Sequence, residues 1–455
     1  MVPTHSGRVT LVRLVVLSLS LALGWGGSSF VDDAANRRFG GPSTPTTEFD
    51  VLVYGSTPGG CCAAVAAARE GRRVALVDPS LYIGGMLSGG LSQMDIGVWP
   101  RANMGIMMEF IQRIAGKYGI SSKVKPLPIG TCDASSEHGP PWHWEAHVAE
   151  EVFVDMLRDA GVEVFLATRL LNVTKSTETG FITSVATNTS LNFTAGAFVD
   201  ASYEGWLMRL TPGVSWTYGR EPAATAAGGF NETVAGVLPE PTPRGAPYGR
   251  THQFQVAVNP FADDANTTCL PHVTCGPVAP VGSGDLKNGA YDWRVLFTSN
   301  PDNMLPIPEP AAYDPTEFEL LRRIIRAYNE SGKAVDFYVP TSGVPNNKTD
   351  AKLAGPQGFT FEYVGGGWEY PAASWERQQE IIAEHKRFAL ALLHFWRTDP
   401  AVPLKSRQQL APGRVGLARD EFNRSDHCAF VVCSFASLWW LMEDGDCMWW
   451  LSFDR

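Results

Sequence analysis

The stretch from Phe49 to Gly90 constrains this chain more than any other. An apolar strand, Val51 to Tyr54, runs into a tight turn, Gly55-Ser56-Thr57-Pro58-Gly59-Gly60. An alanine-rich helix follows from about Gly60 to Glu70. Gly71 ends it, and a second apolar run, Val74 to Val77, stops at Asp78. Strand, turn, helix and strand in this order make a βαβ unit. Gly55 lets the chain turn sharply as it leaves the strand. Bare backbone at Gly59 and Gly60 allows a pyrophosphate to approach, and the first turn of a helix offers unpaired N–H groups and a positive dipole end to an anion. Asp78 stands near where a carboxylate accepts hydrogen bonds from a ribose. The layout suits the adenosine half of a dinucleotide. Thr57 departs from the G-x-G-x-x-G pattern, which asks for glycine there. The alternative is an ordinary βαβ unit with a glycine turn and no ligand.

A second glycine cluster follows Asp78, in Gly84-Gly85-Met86-Leu87-Ser88-Gly89-Gly90. A nicotinamide-binding unit usually passes straight from its acidic residue into the next element. Here Gly84 and Gly85 would let the backbone lie against the ribityl–pyrophosphate part of a longer cofactor; a plain glycine-rich surface loop is the alternative. A later strand ends in Asp200-Ala201-Ser202-Tyr203-Glu204-Gly205, where small residues again allow close approach.

These segments resemble the FAD-dependent oxidoreductases of the glutathione-reductase-like flavoprotein fold, in particular a subfamily with the turn G-x-T-P-G-G and the loop G-G-M-L-S-G-G. Residues 213–221 continue the likeness. In that subfamily Thr57 is ordinary, whereas Trp206 stands where an acidic residue is usual. The resemblance implies that FAD is the cofactor, held by Gly55, Thr57, Pro58, Gly59, Gly60, Asp78, Gly84, Gly85, Met86, Asp200 and Ala201. The expected fold is α/β: a Rossmann-like FAD-binding domain with a parallel sheet, plus an inserted mixed α+β region that carries substrate specificity.

Residues 101–118 have helical spacing of apolar side chains. Glu145-Ala146-His147 leads into a helix expected over Glu151 to Ala160. Histidine serves as acid or base near neutral pH, so Glu145 and His147 are candidates for proton handling, and the resemblance puts this Glu-x-His element on the flavin side. A helix-start carboxylate and a structural histidine are the other reading. From Val162 to Phe198, alternating apolar residues separated by turn residues predict a meander of short strands.

The FAD-binding domain is expected over 49–221 and a substrate or cap region over 222–345, rich in Pro, Gly and Ala, with strand-like pieces at Gln253 to Val258 and Trp293 to Phe297. Glu317 to Ser331 has the pattern of an amphipathic helix. A return segment follows over 346–427, with a long helix from Ser374 to Phe395. At its start Asn346, Lys348 and Asp350 form a compact polar element that also resembles the family. It would fix a polar substrate or line the flavin pocket, or else form a solvated turn.

At the amino end, Arg8 and Arg13 precede the apolar run Leu14 to Leu23, and small residues follow. This reads as a signal peptide over 1–27, too short for a comfortable membrane span, with a flexible lead-in over 28–48. Asn172, Asn188, Asn192, Asn231, Asn266, Asn329, Asn347 and Asn423 each stand in an N-x-Ser/Thr acceptor sequence. Both signs point to a secreted glycoprotein. Eight cysteines in 455 residues do not make a disulfide scaffold. Cys269 and Cys275 flank a short loop and are candidates for a bridge, while Cys61 and Cys62 read as small buried residues. No metal site is expected. A formal charge of −10 argues against a nucleic-acid partner.

Residues 428–455 form an apolar tail with no resemblance to the family, which ordinarily continues into a further flavin-contacting segment. The expected function is therefore a secreted FAD-dependent oxidoreductase that takes a hydride from a small-molecule substrate. The alternative is an incomplete or non-catalytic product that retains part of the fold.

Overall fold

The computed structural model describes residues 38–39, 47–92, 105–120, 143–225, 231, 237, 256–274, 277, 279–289, 291–332, 343–351, 359–422 and 430–431. The expected signal peptide and most of the lead-in and tail lie outside these residues, as do Cys275 and Asn423.

The first half holds strands β1 (Arg38–Phe39), β2 (Glu48–Tyr54), β3 (Val74–Val77), β4 (Glu163–Phe165), β5 (Leu170–Lys175), β6 (Ile182–Thr187) and β7 (Asn192–Asp200). They form one seven-stranded sheet in the order β1-β4-β3-β2-β7-β6-β5. Strands β4, β3, β2 and β7 run parallel, with Leu52 opposite Ala75 and Phe198, and Leu76 opposite Val164. This is the parallel Rossmann-like sheet that the βαβ unit predicted.

Helices α1 (Pro58–Arg69), α2 (Gly105–Lys117) and α3 (Ala146–Ala160) make the crossovers. Alternate strand residues feed two cores, as the period of two requires. Val53, Val74 and Leu76 pack with Val65, Phe110 and Phe153 of the helices. Leu52, Tyr54, Ala75 and Val77 point the other way, toward Val173, Val185 and Phe193.

The span from Val162 to Phe198 differs from a simple meander in two ways. First, β4 follows a crossover helix, so it joins the parallel sheet beside β3 instead of pairing with β5. Second, residues 192–200 form a single long strand, β7, that serves both the antiparallel and the parallel part of the sheet. The beginning of β7 pairs antiparallel with β6 at Phe193 and Thr194, and its remainder runs parallel to β2 as far as Asp200.

A short helix, α4 (Trp206–Leu210), follows β7. The second half contains β8 (Asp292–Trp293), β9 (Val295–Thr298), β10 (Met304–Leu305), α5 (Glu319–Glu330), β11 (Lys348–Ala351), α6 (Trp375–Thr398), α7 (Leu404–Gln409), β12 (Gly416–Ala418), α8 (Arg419–Phe422) and β13 (Phe430–Val431). The antiparallel sheet β10-β12-β9-β11 joins strands from both sides of residue 345, and β13 pairs with β8. Leu321, Ile324 and Ile325 of α5 and Leu392, Phe395 and Trp396 of α6 cover it in a third core. Residues 256–258 carry no strand.

Two connections from this half position the site. β11 follows a turn in which Asn346 and Asn347 have positive φ, 61° and 58°. α8 starts directly after β12, so its acidic residues stand beside β11.

Candidate functional site

Three segments distant in sequence meet at the amino end of α1. Thr57 is the N-cap: its Oγ1 accepts from Gly60 N at 3.2 Å and donates to Ala201 O at 2.8 Å. One hydroxyl thus satisfies a helix amide and ties the turn to the end of β7. This is the physical use of the threonine that stands in place of glycine.

The glycines of the turn do different work. A Cβ on Gly60 would lie 1.9 Å from Gly55 O, so Gly60 is required for packing within the turn. A Cβ on Gly59 would meet nothing closer than Thr57 Oγ1 at 3.8 Å, so this exposed residue faces open space at the helix end. Gly55 has φ +103°, and a Cβ there would strike the Ala201 backbone at 2.6 Å.

Asp78, buried at the end of β3, accepts from Ser56 N at 2.5 Å through Oδ2 and from Ser80 N at 2.7 Å through Oδ1. It braces the turn. Each carboxylate oxygen keeps a second lone pair, so bracing and accepting from a ribose are compatible.

The loop 84–88 closes over the turn. Gly84 N donates to Ser56 O at 2.7 Å. A Cβ on Gly85 would lie 2.3 Å from Tyr203 Oη, and that hydroxyl accepts from Met86 N at 2.8 Å. Asp200 holds the strand end by accepting from Ser202 N and Met208 N at 3.1 and 2.8 Å. Glu204 follows Tyr203. Burial pushes its carboxyl up to about 7, against the pull of Arg209. Trp206 contributes its ring face to the Arg209 guanidinium, 4.2 Å from the ring centre.

A second assembly is linked to this loop through Trp144, whose Nε1 donates to Leu87 O at 2.9 Å. The next residue, Glu145, accepts from Tyr118 Oη at 3.1 Å and from Asn346 Nδ2 at 2.8 Å. Lys348 Nζ, wholly buried, lies 2.5 Å from Glu145 Oε1, 2.6 Å from Asp420 Oδ2 and 2.9 Å from Glu421 Oε1. His147 Nδ1 is 2.8 Å from Glu421 Oε1, and His147 N donates to Glu421 Oε2 at 3.1 Å.

Glu145, His147, Asp420 and Glu421 bring one ligand atom each within 4.8 Å of one another. The Lys348 ammonium lies among the three carboxylates, so the cation of this cluster is the lysine. Desolvation alone would raise the Glu421 carboxyl, but His147 and Lys348 hold it down at about 2. Desolvation alone would lower the His147 imidazole, but the Glu421 carboxylate holds it above its ordinary value.

The sequence candidates Glu145, His147, Asn346 and Lys348 are therefore brought together. Asp350 is not among them: its Oδ2 pairs with Arg294 Nη2 at 2.5 Å, and Arg294 also pairs with Asp292 at 3.0 Å. Asp420 and Glu421 lie in the segment 416–422, which also resembles the family, but neither they nor Tyr118 stand in a motif that marks them as site residues. Cys269 is disulfide-bonded, and Cys61 and Cys62 are free.

The family model described as FAD dependent oxidoreductase matches residues 50–431 of this chain. The chain belongs to the FAD-dependent oxidoreductase family. Its cofactor is FAD, and the open helix end at Gly59 suits that cofactor's pyrophosphate. The match reaches into the apolar tail, where Phe430 and Val431 form β13.

Solved structures similar to this FAD-dependent oxidoreductase include THI4 of Thermovibrio ammonificans, at 18% identity and TM-score 0.27, covering 50% of this chain and 79% of that one. The L-amino acid deaminase from Proteus vulgaris is 14% identical with TM-score 0.30, covering 40% and 54%. PqsL of Pseudomonas aeruginosa is 16% identical with TM-score 0.26, covering 38% and 48%. No curated protein matches the sequence. No helix among the described residues is long and apolar enough to cross a membrane.

Proposed function

We propose that this protein is a secreted oxidoreductase that takes a hydride from a small-molecule substrate, with His147 receiving the accompanying proton. The observation that carries the reading is the link from the glycine turn through Leu87 and Trp144 to the Glu145–His147 element. In this reading the turn 55–60, Asp78, the loop 84–86 and residues 200–201 hold the cofactor. Bound FAD supplies the redox chemistry, taking up the hydride equivalent.

The chain's own groups would manage binding and the proton. With Nδ1–H directed at Glu421, the tautomer of His147 is set and Nε2 is left to accept a proton from substrate. Glu421 stabilises the imidazolium that results, because its carboxylate is already ionised and buried beside the ring. Lys348 helps to keep Glu421 ionised. Asn346, on the exposed side of the same cluster, is placed to orient a polar substrate group. Secretion rests on the leader-like amino end and the acceptor sequences.

The test is anaerobic mixing of the purified, flavin-loaded protein with a panel of small alcohols, amines and hydroxy acids, following the loss of flavin absorbance. The reading expects at least one class to bleach the flavin, and His147→Gln to retain flavin but bleach at least a hundredfold more slowly, within the usual worth of a general base. Equal rates for His147→Gln and the parent would exclude His147 as the base.

A further inference from the structure

We propose that the solvent face of the β5–β6–β7 meander is an N-glycan platform, with oligosaccharides side by side on Asn172 and Asn192 and a third on Asn188 at the adjoining turn. The inference rests on the secretory routing proposed above and is independent of the redox chemistry.

Asn172-Val173-Thr174 lies in β5 and Asn192-Phe193-Thr194 in β7, with β6 antiparallel between them. Asn172 pairs with Ala186, and Ala186 with Asn192. Thr174 pairs with Ser184, and Ser184 with Thr194. The two acceptor sequences are therefore in register. Directly opposed residues share one face of a sheet, so both asparagines and both threonines point the same way.

That way is solvent. Asn172, Thr174, Asn192 and Thr194 are exposed, while the intervening Val173, Val185 and Phe193 are buried in the core below. The two asparagines stand two strands apart, about 10 Å. Between them Ala186 offers only a methyl group, which leaves room for a sugar from either side.

Asn188 is also exposed, and its Oδ1 accepts from Arg169 N at 2.7 Å. An N-glycosidic bond uses Nδ2, so this structural hydrogen bond survives the modification. The other described sequon asparagines, at 231, 266, 329 and 347, are exposed as well.

The transfer needs no redox partner. A lipid-pyrophosphate-linked oligosaccharide is the donor. The Nδ2–C1 bond forms, the C1–O bond to the lipid pyrophosphate breaks, and Nδ2 loses a proton. β7 spans from Asn192 to Asp200 at about 3.3 Å per residue, so the platform lies roughly 25 Å along the strand from the cofactor turn. Glycans there leave the site open.

The full chain is produced in a eukaryotic secretory host, once with its own leader and once with a heterologous one. Enzymatic deglycosylation in ¹⁸O-water then marks each occupied asparagine as ¹⁸O-aspartate for peptide mass spectrometry. The platform predicts labelling at Asn172, Asn188 and Asn192. Thr174→Ala, Ser190→Ala and Thr194→Ala should each remove one glycan from the intact mass and leave the flavin content unchanged. Secreted protein unlabelled at Asn172 and Asn192 would overturn the proposal. Labelled protein obtained only with the heterologous leader would overturn the secretory reading of the native chain and keep the platform.

Discussion

Glu421 Oε1 lies 2.8 Å from Nδ1 of His147, a contact that spans 274 positions of sequence. It joins α8 of the second half to the first turn of α3 in the first. Because Glu421 is completely buried, its charge is balanced only by groups within the cluster, chiefly His147 and Lys348. The position of His147 is thereby coupled to the packing of the two halves.

Lys348→Met tests that coupling. It fills the same space and leaves Glu145 and Glu421 buried without their ammonium partner. Breaking a buried pair from one side costs about 3–5 kcal/mol, read from urea unfolding at neutral pH. The deficit should shrink in acid as Glu421 is protonated.

The pH dependence separates two carboxyl groups of opposite sign. Glu421 is depressed to about 2 from an ordinary 4.5. Its contribution to stability is fully present above the ordinary value and is lost as pH falls from about 4.5 toward 2. Glu204 is raised from 4.5 to about 7, so ionising it opposes folding, and stability falls as pH rises through that interval. Glu204→Gln should therefore gain stability over the parent at pH 7.5 relative to pH 4.5, whereas Glu421→Gln should be less stable than the parent at neutral pH by a deficit that shrinks as pH falls from about 4.5 toward 2. Thermal unfolding from pH 7.5 down to about pH 2.5 measures both; a Glu204→Gln difference that does not change between pH 4.5 and 7.5, or a Glu421→Gln deficit that does not shrink below pH 4.5, would contradict the assignment.

Thr57→Val removes the N-cap hydrogen bond to Gly60 N and the tie to Ala201 O while preserving shape. Loss of an N-cap costs typically about 1 kcal/mol. Hydrogen exchange should also show faster opening at both the start of α1 and the end of β7, since a single hydroxyl serves both. Faster exchange at α1 alone would mean that the Ala201 contact does not hold the strand end.

Gly59 and Gly60 should respond oppositely to alanine. At Gly60 the new Cβ falls on the Gly55 carbonyl, and overpacking of this kind costs about 1–3 kcal/mol or more. At Gly59 the position is helical and open, and replacing glycine there by alanine typically gains about 0.4–1 kcal/mol. Differential scanning calorimetry of the two variants distinguishes the roles.

What could be read in the sequence follows from how local each signal is. The turn, α1 and β3 lie within one βαβ unit, so their spacing carried the parallel sheet and a dinucleotide-like ligand, while FAD came with the family resemblance of the turn and of the segments at 84–90 and 200–205. Thr57 looked like a departure because a pattern records residue types, whereas its function is a pair of hydrogen bonds, one of them to residue 201. β4 was misplaced because alternation of apolar residues does not encode strand direction; the crossover helix does. Glu145, His147, Asn346 and Lys348 stood out as polar groups in short motifs. Glu421 did not, since its helix is four residues long and its partners are remote in sequence. Asp350 shares a strand face with Lys348, yet Arg294 engages it, which no local pattern announces.

The most direct test of the account is the visible absorbance of Gly59→Glu beside the parent protein. Gly59 tolerates a side chain without disturbing the turn, and glutamate there puts an anion where the FAD pyrophosphate would lie. The parent should show a flavin spectrum after incubation with FAD. Gly59→Glu should show none while keeping the parent's circular dichroism and melting temperature. A folded Gly59→Glu protein with a full flavin spectrum would contradict the placement of the cofactor at this turn.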